Sequence, residues 1–289
     1  MRRVPFGLAP WLLPLMLIGC GMGHPVRMLQ ESRPFAGRRP LEVVAELPAG
    51  DLRVSRGSHR NLYELDFSYC RNHLEARNRF ERGDFATSPQ GSDRLFVTGR
   101  EIGSSSFVED EPNLLELRLR PGIPSDLRLT AGEGGEIDAD LTALSVWRMV
   151  VHGGSGPVRV AFKAGNPVDL EQLRVVAGGG AVRLEGLGWA SVRSLQFYGG
   201  AGPVTLDFSG PGPREAAAFL DLGSGPLELV IPKDLGVEIS GKGVIPASPP
   251  EGLLAGTKTW VSPNHLQAER HLTLVMDRGS APVRVRWLP

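Results

Sequence analysis

The chain has 289 residues, 41% of them hydrophobic and 22% charged, enough for one large domain or two medium ones. Lys+Arg and Asp+Glu both total 32, and beyond Arg2 and Arg3 the balance is 30 against 32. This balance argues against nucleic-acid binding, which needs a basic footprint, and against a polybasic membrane contact. The 37 glycines follow no period of three, so the chain is not collagen-like, and two cysteines build no disulfide framework.

Arg2 and Arg3 precede a mostly apolar run from Phe6 to Ile18, too short to span a bilayer and suited to a signal-peptide core. It ends in Leu17-Ile18-Gly19-Cys20. This segment resembles the bacterial lipobox, in which a small residue precedes a cysteine whose thiol takes diacylglycerol before cleavage makes it the new N-terminus. The resemblance implies residues 1–19 as a lipoprotein signal peptide, lipidation at Cys20 and a place on the extracytoplasmic side of a bacterial membrane. Gly21 stands where an Asp would imply retention in an inner membrane. Residues 20–40 hold little apolar pattern and are expected to be a flexible tether. Cys70 is then left without a partner and reads as a buried apolar residue.

Residues 41–125 carry divergent β coils. Leu41, Val43, Ala45 and Leu47, then Leu52 and Val54 after Ala49-Gly50, look like a first coil. Leu62–Cys70 and Leu115/Leu117/Leu119 add strands, and the polar stretch Arg77–Ser92 is expected to be a loop.

From residue 126 to 289 the pattern becomes regular. Five segments align, beginning at Gly135, Gly156, Gly180, Gly202 and Gly225, and a last copy runs from Ala281 to Trp287. The first apolar positions of the five are Ile137, Val158, Val182, Val204 and Leu227, a repeat of about 21–24 residues. Each segment alternates apolar and polar, as a half-buried strand does. Each follows a glycine cluster, and each cluster follows another alternating pair, such as Leu173/Val175 or Leu195/Phe197. Glycine suits such a corner by tolerating positive φ and close backbone approach. One unit cannot bury its apolar row alone; stacked units fuse the rows into one core. The expected fold is all-β, a β-solenoid-like stack of short strands with Gly-rich corners, continuous with residues 41–125. A sandwich would show Asn-Gly-type hairpin turns, and a propeller blade needs about twice this period.

These corners, the run Val204-Thr205-Leu206-Asp207-Phe208-Ser209 and the segment Leu229–Val237 resemble the toast-rack β-repeat families. Their members occur among bacterial envelope proteins and cell-wall-antibiotic-response regulators. The resemblance covers most of residues 41–289 and implies a non-enzymatic protein, adhesin-like or engaged in envelope-stress sensing. Sensing members usually carry transmembrane helices; this chain carries only the lipobox.

No catalytic, cofactor or metal site is expected. Glu136, Asp138 and Asp140 share a strand face and could bind Ca²⁺, but acids on an outer face are ordinarily solvated. Stacked in register, Asp138, Arg159, Arg183, Thr205 and Glu228 should form an outward ladder, with Arg159 repelling Arg183 unless staggered. The six histidines show no zinc spacing, and Ser155 and Ser224 lie in no nucleophile elbow. Gly178-Gly179-Gly180 is no nucleotide loop, and Arg82-Gly83-Asp84 resembles integrin-binding tripeptides at the level of chance.

The sequence therefore reads as a lipid-anchored, non-enzymatic cell-envelope protein presenting a rigid β-stack. Its partners are a membrane through the lipid and an envelope protein or polysaccharide. The competing readings are a partner of an envelope-stress regulator and a polysaccharide-acting β-helix enzyme. Exposed aromatics along one side, with Trp147, Trp189, Tyr198 and Trp260 as candidates, would favour binding over scaffolding.

Overall fold

The computed structural model describes residues 26–83, 91–102, 113–241, 249–277 and 282–289. Every regular element among them is a strand, and no described helix is long and apolar enough to cross a membrane. The signal segment and Cys20 lie outside the described residues.

The strands form two mixed sheets, one of ten and one of twelve. The N-terminal part holds β1 (Val26–Pro34), β2 (Leu41–Leu47), β3 (Asp51–Arg56), β4 (Asn61–Cys70), β5 (Leu74–Glu81), β6 (Asp93–Glu101) and β7 (Leu114–Leu119). The regular part begins with β8 (Pro124–Ala131) and β9 (Ile137–Asp140), and continues with β10 (Ser145–Gly153) and β11 (Val158–Ala161). It goes on through β12 (Gln172–Ala177), β13 (Val182–Glu185), β14 (Ser194–Tyr198), β15 (Val204–Asp207), β16 (Glu215–Asp221) and β17 (Leu227–Pro232). From β8 to β17 the chain alternates strictly between the sheets: even-numbered strands join the twelve-stranded sheet, odd-numbered ones the ten-stranded.

Neighbours in both ladders of this part are parallel. Ile137, Val158, Val182, Val204 and Leu227 fall opposite one another in one sheet. Leu127, Met149, Leu173, Leu195 and Ala218 do so in the other. Both rows are buried and belong to one apolar core that runs from Leu41 to Met276. Register is set by this alternation, since a one-residue slip would turn each row to solvent.

The corner between the sheets is built on two glycine columns. Gly132, Gly154, Gly178, Gly200 and Gly223 form one; Gly135, Gly156, Gly180, Gly202 and Gly225 form the other. At each, a Cβ would overlap a backbone carbonyl of the preceding coil, and none has a positive φ. Close approach between coils, not left-handed conformation, therefore demands glycine here, which narrows the expectation drawn from the sequence. Proline after the glycine sacrifices no bond. Its carbonyl accepts from the neighbouring coil, as Pro203 O does from Val182 N–H at 2.8 Å and Pro226 O from Val204 N–H at 2.9 Å. On the opposite side Asn166 holds three coils together. It accepts from Val146 N–H (3.0 Å) and donates to the carbonyls of Val146 (2.6 Å) and Ala190 (3.3 Å).

Three expectations change in the N-terminal part. The 20–40 tether contains β1, which pairs antiparallel with β4 from Val26 opposite Cys70 onward. Leu29 and Phe35 pack on the core, and that apolar contact holds a segment whose composition looks like linker. The loop at Arg77–Ser92 is strand through Glu81, because β5 pairs antiparallel with β6. The first coil in sequence is not the first in space: β2 lies between β6 and β8, and β3 between β7 and β9. The chain starts inside, turns outward through β4 and β5, and returns. The reversed strands cover the open core with Tyr63, Phe67 and Leu74, all fully buried.

The C-terminal part is also out of sequence order. It holds β18 (Leu235–Gly241), β19 (Leu254–Ala255), β20 (Thr259–Val261), β21 (Arg270–Asp277) and β22 (Val283–Leu288). The late strands β21 and β22 insert beside β16 and β17, while β18 lies outside β21. Antiparallel β20 and β19 then end the twelve-stranded sheet.

Candidate functional site

Sheet geometry sorts the chemistry into two contrasting outer faces. On the ten-stranded sheet the expected ladder is in register: Asp138, Arg159, Arg183, Thr205 and Glu228 are consecutive partners. Arg53 flanks Asp138 on one side, and Arg284 follows Glu228 on the other. The Arg159–Arg183 repulsion is relieved by stagger. Arg159 Nη1 donates to Asp138 at 2.8 Å, and its Nη2 donates diagonally to Glu185 at 2.9 Å. The bond to Glu185 leads in raising the Arg159 pKa; partial burial opposes it and Asp138 assists. Arg183 is exposed and makes no ion pair among the described residues.

Two of the three acids raised as a Ca²⁺ possibility are engaged elsewhere. Asp138 takes Arg159, and Asp140 takes Lys163 Nζ at 2.8 Å and the Thr142 N–H at 3.2 Å. Burial would raise the Asp140 pKa, but the bonds from Lys163 and Thr142 outweigh it and hold the carboxyl below its ordinary range. Glu136 lies at the strand entry, where its N–H donates to Asp51 at 3.0 Å. No group of three or more His, Cys, Asp or Glu among the described residues is placed to hold a metal ion.

The outer face of the twelve-stranded sheet is more apolar. One row runs Phe96, Val44, Arg128, Val150, Arg174 and Gln196, then Phe219 and Val275. Beside it the Tyr198 and Phe219 rings lie 5.9 Å apart, and Arg174 stands over Tyr198 at 5.1 Å. The four aromatics named from the sequence do not line one side. Tyr198 is on this face. Trp147 is the extra residue of a bulge, beneath Arg148 at 4.9 Å. Trp189 is 38% exposed in a return between the sheets, and Trp260 is buried. Strand alternation cannot place residues in bulges and returns, so the sequence offered no signal for Trp147 and Trp189; Trp260 lies in the short strand β20 and points inward.

Two concavities accompany the faces. A cleft of about 550 Å³ opens beside β1, lined by Arg33, Arg39, Arg82, Leu62, Phe80 and Asp93. Arg33 stacks on Phe80 at 3.7 Å. Next to the cleft, Tyr63 donates to Glu31; burial first, and then that carboxylate, push the phenol's pKa upward. Arg82 and Gly83 of the integrin-like tripeptide border this region, and Asp84 lies outside the described residues. A second, shallower groove of about 570 Å³ holds Arg193, Glu215, Glu238, His265, His271 and Thr273. The rings of His265 and His271 meet edge-on at 5.3 Å, and His265 Nε2 lies 4.0 Å from Glu238. The sequence hid this pair, because its six-residue separation matches no ligand spacing; the turn into β21 brings the rings together.

The remaining sequence candidates serve structure. Ser155 Oγ accepts the Gly134 N–H at 2.9 Å within a corner, and Gly178 and Gly180 belong to the glycine columns. Cys70 is free and buried.

Neither a family model nor a curated protein matches the chain. Among solved structures it is similar to a candidate cell adhesion protein from Clostridium sporogenes, with a TM-score of 0.48 and 15% identity over 91% of this chain and 100% of that one. It is also similar to a candidate adhesin from Bacteroides fragilis, with a TM-score of 0.36 and 8% identity over 91% of this chain and 97% of that one. A candidate lipid-binding protein from Parabacteroides distasonis has a TM-score of 0.26 and 11% identity over 90% and 97% of the two chains.

Proposed function

We propose that this chain is a lipid-anchored, non-enzymatic protein of the bacterial cell envelope. Its body is a β-solenoid of toast-rack type that holds two large faces rigid for interaction or structural roles. One observation carries the reading: two unbroken parallel ladders share a single core and are locked at their corner by glycine columns. Such a body has little freedom to close on a substrate, and Asp138, Glu185 and Asp140 on its charged face are engaged by Arg159 and Lys163. That weighs against the polysaccharide-acting enzyme, which needs convergent, unneutralised acids. An envelope protein or polysaccharide would meet the face carrying Tyr198, Phe219 and Arg174, where flat rings beside a cation offer stacking contacts.

The anchor rests on Leu17-Ile18-Gly19-Cys20. Metabolic labelling with a clickable fatty acid tests it directly. The wild-type protein should take the label and fractionate with membranes, and Cys20→Ala should lose both. A Cys20→Ala protein that still labels would overturn the anchor and with it the envelope assignment.

A further inference from the structure

Strand order gives the stack two unlike ends. β1 and β5 are outermost at one, β22 and β19 at the other. Ten strands at ~4.8 Å spacing separate the ends of the smaller sheet by about 43 Å. The β1/β5 end consists of residues 26–40 and 57–83, which contain nine arginines and five carboxylates. The chain from Cys20 onward has 30 basic and 32 acidic residues, so the remainder is distinctly acidic. The neutral total conceals a separation of charge along the stack.

The cap's carboxylates are already occupied. Glu75 pairs with Arg77 and Arg100, Glu81 with Arg79, and Glu64 and Asp66 with Arg118. Glu31 accepts from Tyr63 and Asn78. Five exposed arginines, Arg27, Arg38, Arg60, Arg71 and Arg82, have no ion pair among the described residues. They lie on β1 or in the connections around β4 and β5, with Met28 61% exposed at the sheet edge.

The place where the chain enters selects the occupant. Only six residue steps separate Cys20 from Val26, the start of β1, and they reach about 20 Å at most. We infer that the β1/β5 cap is a docking surface for an anionic lipid bilayer. Its unpaired arginines meet headgroup phosphates, and the stack stands with its β22 end away from the membrane. The standing orientation rests on the proposed lipid at Cys20; the affinity of the cap for anionic lipid does not. Acyl chains alone would hold the protein to the membrane. The cap would determine which way the body faces.

The test uses the chain from residue 20 with Cys20→Ser, which carries no lipid. Its co-sedimentation is compared on vesicles of phosphatidylcholine and on vesicles of equal parts phosphatidylcholine and phosphatidylglycerol. Each surface cation adds a few-fold to binding, so the anionic vesicles should bind roughly ten- to a thousandfold more tightly. High salt should erase the difference. Combined Arg27→Gln, Arg38→Gln, Arg60→Gln, Arg71→Gln and Arg82→Gln should reduce binding to the neutral-vesicle level. Arg183→Gln with Arg284→Gln, away from the cap, should leave it unchanged. If the fivefold variant fails to fold by circular dichroism, Arg38→Gln alone, in the β1–β2 connection, should still weaken binding a few-fold. Equal binding to both vesicles, or unchanged binding by the folded cap variants, would overturn the inference. Because no lipid is present, this outcome is independent of the labelling experiment.

Discussion

Gly180→Ala and Gly179→Ala change adjacent residues of one corner and should have opposite consequences. An alanine Cβ at Gly180 would overlap the Gly156 carbonyl oxygen and carbon and come within 2.8 Å of the Ser155 oxygen. Real Cβ atoms keep at least 3.0 Å from such atoms. All three belong to backbone, so no side chain can swing aside and the coils must part by on the order of 1 Å. That strains bonds between these two coils at the corner, such as Val158 N–H to Ala181 O and Gly178 N–H to Gly154 O, both at 2.9 Å. Two weakened bonds cost about 1–2 kcal/mol, and overpacking adds about 1–3. The lower entropy of the unfolded alanine chain returns roughly 0.4–1 kcal/mol. The net is a loss of about 2–4 kcal/mol, a large part of the ~5–15 that a domain possesses. Nothing lies within 4 Å of a Cβ at Gly179, and its φ is not positive. Only the entropic term remains there, so Gly179→Ala should be neutral or slightly stabilising. Urea unfolding of the two variants decides the matter through their midpoints. Equal stabilities would refute close approach as the reason for glycine in the corners.

Asn166→Ala would remove the side-chain partner of the Val146 N–H and carbonyl, leave the Ala190 carbonyl with the Leu170 N–H alone at 3.3 Å, and should cost about 1–3 kcal/mol in the same urea assay. Acid should destabilise the fold through depressed carboxyls. Glu64 is lowered by Ser58 and Asn61 and then Arg118, Asp169 mainly by Arg193, and Asp140 by Lys163 and Thr142 against its desolvation. Each binds its proton less readily folded than unfolded. Their contribution is therefore complete above the ordinary carboxyl range near pH ~4 and lost as pH falls through the folded values. Urea midpoints should hold near neutrality and drop below pH ~4, and Asp140→Asn should flatten the drop. A midpoint rising on acidification would contradict the sign.

Much of the body was legible because its signals are short-range. Val204 and Leu206 alternate with Thr205 and Asp207 inside one strand, so the inward and outward faces can be read from four residues. The 21–24-residue spacing then predicted the partners of Arg159 correctly, because every coil must bring its apolar row to the same core. The candidate faces were less legible. Tyr198 and Phe219 are 21 residues apart and meet only because β14 and β16 are neighbours. Asn166 looks like any loop asparagine until Val146 and Ala190 are placed on either side of it.

The ends mark the limit of local reading. Which strands close an open core depends on surfaces contributed by distant residues. Strand pattern alone could not say that β6 and β7 lie outside β2 and β3, or that β21 slips between β16 and β18. Nor could a total charge near zero reveal arginines gathered at one cap. By itself the sequence determined the strands of the regular part, their facing and the repeat, since these depend on side-chain alternation and spacing along the chain. Only the tertiary structure decided the order of the outer coils, the meeting of His265 with His271 and the segregation of charge. Those arise from contacts between segments that share an edge in space but not in sequence.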